Sequence, residues 1–108
     1  MAGKKDLIKD SDRYSILVPY LDKCYICGSE NHVALHEVFY GTANRKKSKE
    51  DGMILPLCDF HHNMSNVAVH NNHELDLKFK QMAQRKWMSY YNKTVEDFIK
   101  RFGQNYLD

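Results

Sequence analysis

The chain has 108 residues, with 16 Lys and Arg against 14 Asp and Glu, a net charge of +2, 3 Cys and 6 His. That length holds one small domain, and 43% hydrophobic content argues against global disorder. No apolar run approaches the roughly 18 residues of a membrane span. The opening MAGKKDLIKDSD lacks the apolar stretch of a secretory signal, so the expectation is a cytoplasmic protein with no membrane partner.

Residues 1–12 are polar and charged and read as a loose tail. Residues 14–18, YSILV, are apolar and β-branched and end at Pro19, which predicts a short strand or extended segment. Cys24-Tyr25-Ile26-Cys27-Gly28 follows, a CxxCG turn in which Gly supplies the positive φ that turns the chain back. Residues 33–40, VALHEVFY, predict a second strand. Alternation puts Val33, Leu35, Glu37 and Phe39 on one face and Ala34, His36, Val38 and Tyr40 on the other. Residues 41–52 read as a polar, basic connection, and 53–57, MILPL, as a third strand edged by Pro56. After an Asn- and His-rich turn region, Leu75, Phe79, Met82, Lys86 and Tyr90 fall near helical spacing and predict a helix over about 74–91. Thr94 is an N-cap candidate for a last helix, with Glu96 and Asp97 in its first turn and Gly103 at its end.

In a reducing compartment three Cys are more readily metal ligands than a disulfide framework. Cys24 and Cys27 form one x2 pair, and Cys58 and His61 form a second. Two such pairs, each on one tight turn, are the ligand pattern of a tetrahedral structural zinc. Every Cys in the sequence falls within it. His62, His70, His73, and His36 with Glu37 remain, a surplus concentrated around one predicted ββα element that points to a second, catalytic ion. His73-Glu74 and His36-Glu37 do not continue to the His that a metalloprotease helix needs.

The order of a strand bearing His36-Glu37-Val38, a loop, a short strand, then Cys58-x-x-His61-His62 and a helix resembles the HNH endonuclease family. The string from His36 through Asn44-Arg45-Lys46-Lys47-Ser48, followed by Leu57-Cys58 and His61-His62-Asn63, is similar to small phage and prophage HNH-type proteins. The resemblance extends from about Cys24 to Leu107. It implies an α+β fold: a small ββα-metal, treble-clef-like core with a zinc knuckle over about 20–91 and a C-terminal helix over about 94–103, in one domain spanning 13–108. It also implies a metal-dependent DNA endonuclease with a structural zinc and a catalytic divalent ion such as magnesium, manganese, nickel or zinc.

By the same resemblance the catalytic set is His36, Glu37 and His62, with His36, His62 and His70 as ligands of the ion. Glu37 stands where the family usually has its His base, and Met53 stands near the place of the middle Asn, for which Asn44 is the substitute. Either Glu37 is the base, or His36 is the base and Glu37 with His62 holds the metal. Arg45, Lys46, Lys47 and Lys49 lie in the loop that can follow DNA phosphates. The resemblance further implies phage packaging or recombination proteins as partners and the host-cell cytoplasm as location. A non-catalytic zinc module binding nucleic acid or protein is the alternative. Trp87 and Tyr91 are expected to pack, as is Tyr90.

Overall fold

In the computed structural model residues 13–107 are described; the tail expected over residues 1–12 lies outside them. In chain order come β1 (Val33–Glu37), α1 (Arg45–Asp51), β2 (Ile54–Cys58), α2 (Asp59–His62), a 3-10 turn (Val69–Asn71), α3 (His73–Tyr91) and α4 (Val95–Phe102). β1 and β2 pair antiparallel, with Leu35 opposite Pro56, His36 opposite Leu55 and Glu37 opposite Ile54. The result is a small α+β domain. A two-stranded sheet is marginal by itself, and here all five positions of β2 are buried, as its unbroken apolar run requires. Pro56 gives no N–H to the ladder, but its carbonyl accepts from the Tyr25 N–H at 2.7 Å and seats the Cys24–Cys27 turn beside β2.

Four expectations are corrected. Residues 14–18 form no strand. The Ser15 hydroxyl accepts from the N–H groups of Leu17 and Val18 (2.9 and 3.2 Å) and donates to the Ile54 carbonyl at 2.7 Å, so the chain bends beside β2 instead of joining its ladder. The basic connection over 41–52 contains helix α1, whose only buried residue is Ser48. The Ser48 hydroxyl donates to the Phe39 carbonyl at 2.6 Å and accepts from the Phe39 N–H at 3.1 Å, which fastens α1 to the end of β1. That fastening also ends the alternation of 33–40: beyond Glu37 both Val38 and Phe39 are buried. In α3 the buried face is Asp76, Phe79, Ala83, Gln84 and Trp87, so the expected stripe is rotated and Lys86 and Tyr90 face solvent.

The helices close over an aromatic core. Phe39 meets Phe98 (5.2 Å between ring centroids), Phe102 (4.6 Å) and Tyr106 (5.6 Å), and Trp87 meets Phe98 at 5.4 Å. Asp51, at the end of α1, accepts from the Trp87 indole at 2.9 Å and from the Arg101 guanidinium at 2.9 and 3.0 Å. This ties α1, α3 and α4 into one unit. α4 begins as expected: the Thr94 hydroxyl accepts from the Asp97 N–H while the Asp97 carboxylate accepts from the Thr94 N–H, a reciprocal capping box, and Gly103 ends it at φ 93°. Among the described residues no helix is long and apolar enough to cross a membrane.

Candidate metal centres

The first centre lies where the Cys24–Cys27 turn meets the end of β2. The Cys24 N–H donates to the Ser29 carbonyl and the Gly28 N–H to the Cys24 carbonyl, both at 2.8 Å, with Gly28 at φ 77°. Cys58 ends β2, and α2 carries His61 one turn later. The ligand atoms of Cys24, Cys27, Cys58 and His61 all lie within 4.8 Å of one another. Cys27 Sγ is 3.8 Å from Cys58 Sγ, and His61 Nδ1 is 3.4 Å from Cys58 Sγ and 3.7 Å from Cys24 Sγ. A tetrahedral zinc with bonds of about 2.3 Å to sulfur and about 2.0–2.1 Å to nitrogen requires edges of about 3.8 Å between sulfurs and about 3.6 Å between sulfur and nitrogen. The four side chains therefore fit a zinc site.

The electrostatics agree. Burial pushes the Cys24 thiol up, but backbone N–H groups of Cys58, Cys27 and Ile26 point at its sulfur and lower it to about 6. Cys58 is pushed up, first by burial and then by its sulfur neighbours. One thiolate forms readily and the next is opposed by it, a conflict that a divalent cation removes.

The second centre joins β1, α2 and the 3-10 turn. Ring nitrogens of His36, His62 and His70 lie within 4.8 Å of one another, and His62 Nε2 is 3.1 Å from His70 Nε2. His36 is 2% exposed and its Nε2 is buried with no hydrogen-bond partner, whereas His70 is exposed. A triplet of ring nitrogens that includes a buried imidazole with an unpartnered nitrogen fits a cation ligand set, since imidazoles sharing an ion at about 2.0–2.1 Å stand about 3.0–3.4 Å apart. Burial, followed by the charges of His62, His70 and Lys80, lowers His36 to about 3, so its imidazole is neutral with a lone pair to give. Burial and then His70 lower His62 as well.

The three histidines that the sequence singled out for one ion are thus brought together. Glu37 is not among them. It lies on the other side of β1, where its Oε2 is 3.3 Å from Arg13 Nη1 and where an open cleft of about 770 Å³ is also lined by Val33 and Leu35. The reading in which Glu37 and His62 share a metal therefore does not match the structure. His73, the first residue of α3, is exposed and stands apart from both clusters. Asn44 donates through Nδ2 to the Phe102 carbonyl at 3.1 Å, a structural contact. Arg45, Lys46, Lys47 and Lys49 sit on α1, with Arg45 and Lys46 exposed and Lys47 and Lys49 partly so.

Sequence reasoning missed Tyr40, Asp76 and Lys80. The Tyr40 ring lies 5.9 Å from that of His36 and 5.3 Å from that of His70, and Lys80 Nζ is 4.4 Å from the centre of Tyr40. The one available signal was the i,i+4 spacing of Asp76 and Lys80. Compared with protein-family models, curated proteins and solved structures, this chain matches none.

Proposed function

We propose that the protein is a metal-dependent DNA endonuclease of the HNH type, with a ββα-metal centre beside a structural zinc. One observation carries the reading: His36, His62 and His70, from three separate elements, converge with the buried Nε2 of His36 left without a partner. A buried polar atom without a partner is costly and asks for a ligand. His36, His62 and His70 would hold the divalent ion, which when bound supplies Lewis-acid stabilisation of a scissile phosphate. Zinc bound by Cys24, Cys27, Cys58 and His61 would fix the end of β2 and α2, and hence the place of His62.

With its basicity depressed to about 3, His36 suits a ligand better than a proton acceptor. Glu37, on the opposite face of β1 beside Arg13 and on the wall of the open cleft, is out of hydrogen-bond reach of a water at that ion, so the reading gives it no part in the proton transfer. Arg45, Lys46, Lys47 and Lys49 would neutralise backbone phosphates.

The test is plasmid cleavage with magnesium, manganese, nickel or zinc, alongside metal analysis. His36→Ala and His62→Ala should each lose cleavage and one ion per chain while keeping zinc. Glu37→Gln, on the far side of β1, should keep both ions and cleave like wild type. Robust cleavage unaltered by either His substitution overturns the reading. The Glu37–Arg13 ion pair on the far side of β1 favours one other reading, a zinc-binding interaction module without catalysis. That reading predicts no cleavage with any of these ions.

A further inference from the structure

Beside the histidine centre stands a second group of polar residues. Asp76 is 6% exposed, and its Oδ2 is 2.9 Å from Lys80 Nζ while its Oδ1 has no hydrogen-bond partner. Lys80 Nζ lies over Tyr40 at 4.4 Å and over Tyr106 at 5.4 Å, within reach of both ring faces. The Lys80 side chain is 15% exposed, so the ammonium is held in place yet still meets solvent. Burial disfavours its charge, but the hydrogen bond and charge of Asp76 outweigh that, and the net shift of Lys80 is upward. It is a fixed cation.

Structure alone is a poor reason for such a group. A buried Lys–Asp pair generally stabilises no better than apolar residues of the same size. Its location adds a further difficulty. Tyr40 lies against both His36 and His70, and the Lys80 charge is felt at His36. An ammonium beside a cation-binding cluster repels the ion, and an anion bridging the two relieves that repulsion. A phosphodiester oxygen has the charge and size for it.

We infer that Lys80 is the phosphate-contacting residue of the histidine centre, donating to a non-bridging oxygen of the DNA backbone, with Asp76, Tyr40 and Tyr106 as the residues that position it. This rests on the nuclease reading above and deepens it. Lys80 lies on α3, apart from the basic residues of α1; Asp76 and the Tyr40 hydroxyl engage its ammonium, which has three N–H donors.

The experiment compares wild type, Lys80→Met and Lys80→Arg, each loaded with zinc and manganese. Lys80→Met strands the buried Asp76, so the double variant Asp76→Asn/Lys80→Met serves if the single one does not fold. Three readouts are taken: manganese bound per chain, the kcat and KM of plasmid cleavage, and the salt dependence of binding to a short DNA duplex. The expected result is that Lys80→Met binds manganese like wild type, raises KM at least about tenfold, and lowers the slope of log affinity against log salt by about 0.9, the loss of one phosphate contact. Lys80→Arg should keep the slope. A Lys80→Met protein with wild-type KM and slope overturns the inference, because a purely structural lysine changes neither. If wild type cuts with no ion, the nuclease reading falls, and the salt slope alone still decides whether Lys80 touches phosphate.

Discussion

Cys27→Ser separates a metal centre from a mere gathering of thiols. Cys27 is exposed and takes no part in the hydrophobic core, yet its sulfur is 3.8 Å from that of buried Cys58. Without a metal, an exposed substitution of this kind stays within about 0.5 kcal/mol. With zinc it removes one of four ligands. Free zinc buffered at about 1,000 times the wild-type dissociation constant stabilises the folded state by about 4.1 kcal/mol. At about 4–8 °C per kcal/mol for a domain near this size, losing that term lowers Tm by about 16–33 °C. The assay is thermal unfolding by circular dichroism in zinc buffer, with zinc per chain measured on the same samples. Chelated wild type and the variant should melt together. A Tm within about 4 °C of wild type with zinc content unchanged would refute the assignment, since that change is about 1 kcal/mol or less.

Phe98→Ala should cost about 3–5 kcal/mol, because the ring is fully buried against Phe39, Trp87 and Phe102. Urea unfolding should show a lower midpoint at unchanged slope, and a loss below about 1 kcal/mol contradicts the core described here. Gly52→Ala should destabilise more than Gly103→Ala. Both positions have positive φ, but a Cβ at Gly52 meets Tyr14 Cε2 at 2.7 Å and the Ile16 backbone nitrogen at 3.1 Å, while at Gly103 it meets nothing within 4 Å. Equal losses in the two variants would rule out the Gly52 contact as the cause. The Asp97 carboxyl is held below its usual 3.8, first by the Thr94 backbone N–H and then by the Thr94 hydroxyl. A depressed carboxyl stabilises above its unfolded pKa and ceases to do so as pH falls through the folded one. The stability gap between wild type and Asp97→Asn should therefore be full near neutrality and close below about pH 3.8, as melting curves across pH will show; a gap that persists in acid contradicts it.

The parts of the fold legible in the sequence were those with a strong local rule behind them. The x2 spacing of Cys24-Cys27 and Cys58-His61 needs only a tight turn at each pair, and Thr94 with Asp97 is a complete cap signal within four positions. What escaped was set by distant partners. α1 has no apolar period, because its buried anchor is a hydroxyl, Ser48, bonded to Phe39. The segment at 14–18 has strand composition, but Ser15 diverts its backbone. The phase of α3 was misread because two of its inward residues, Asp76 and Gln84, are polar. Gln84 is buried because it accepts from the Tyr106 N–H and donates to Asn105, contacts more than twenty positions away. At the histidine centre, residue type and chain order identified His36, His62 and His70. Only strand direction separated Glu37 from them, and only helix packing brought Lys80 alongside.

The grip of Asp51 on Trp87 and Arg101 has a consequence for the order in which the molecule can be assembled. A chain is made from its N-terminus, and all four residues of the Cys/His cluster are present once residue 61 has been added. The partners of Asp51 and the rings that enclose Phe39 arrive only with α3, α4 and Tyr106. During synthesis the thiol cluster can capture metal and pin the hairpin while its aromatic side is still uncovered. With zinc bound, the growing protein would have a metal-stapled half waiting for its last helix, and a chain ending before α4 would expose Phe39 and leave Asp51 without Arg101.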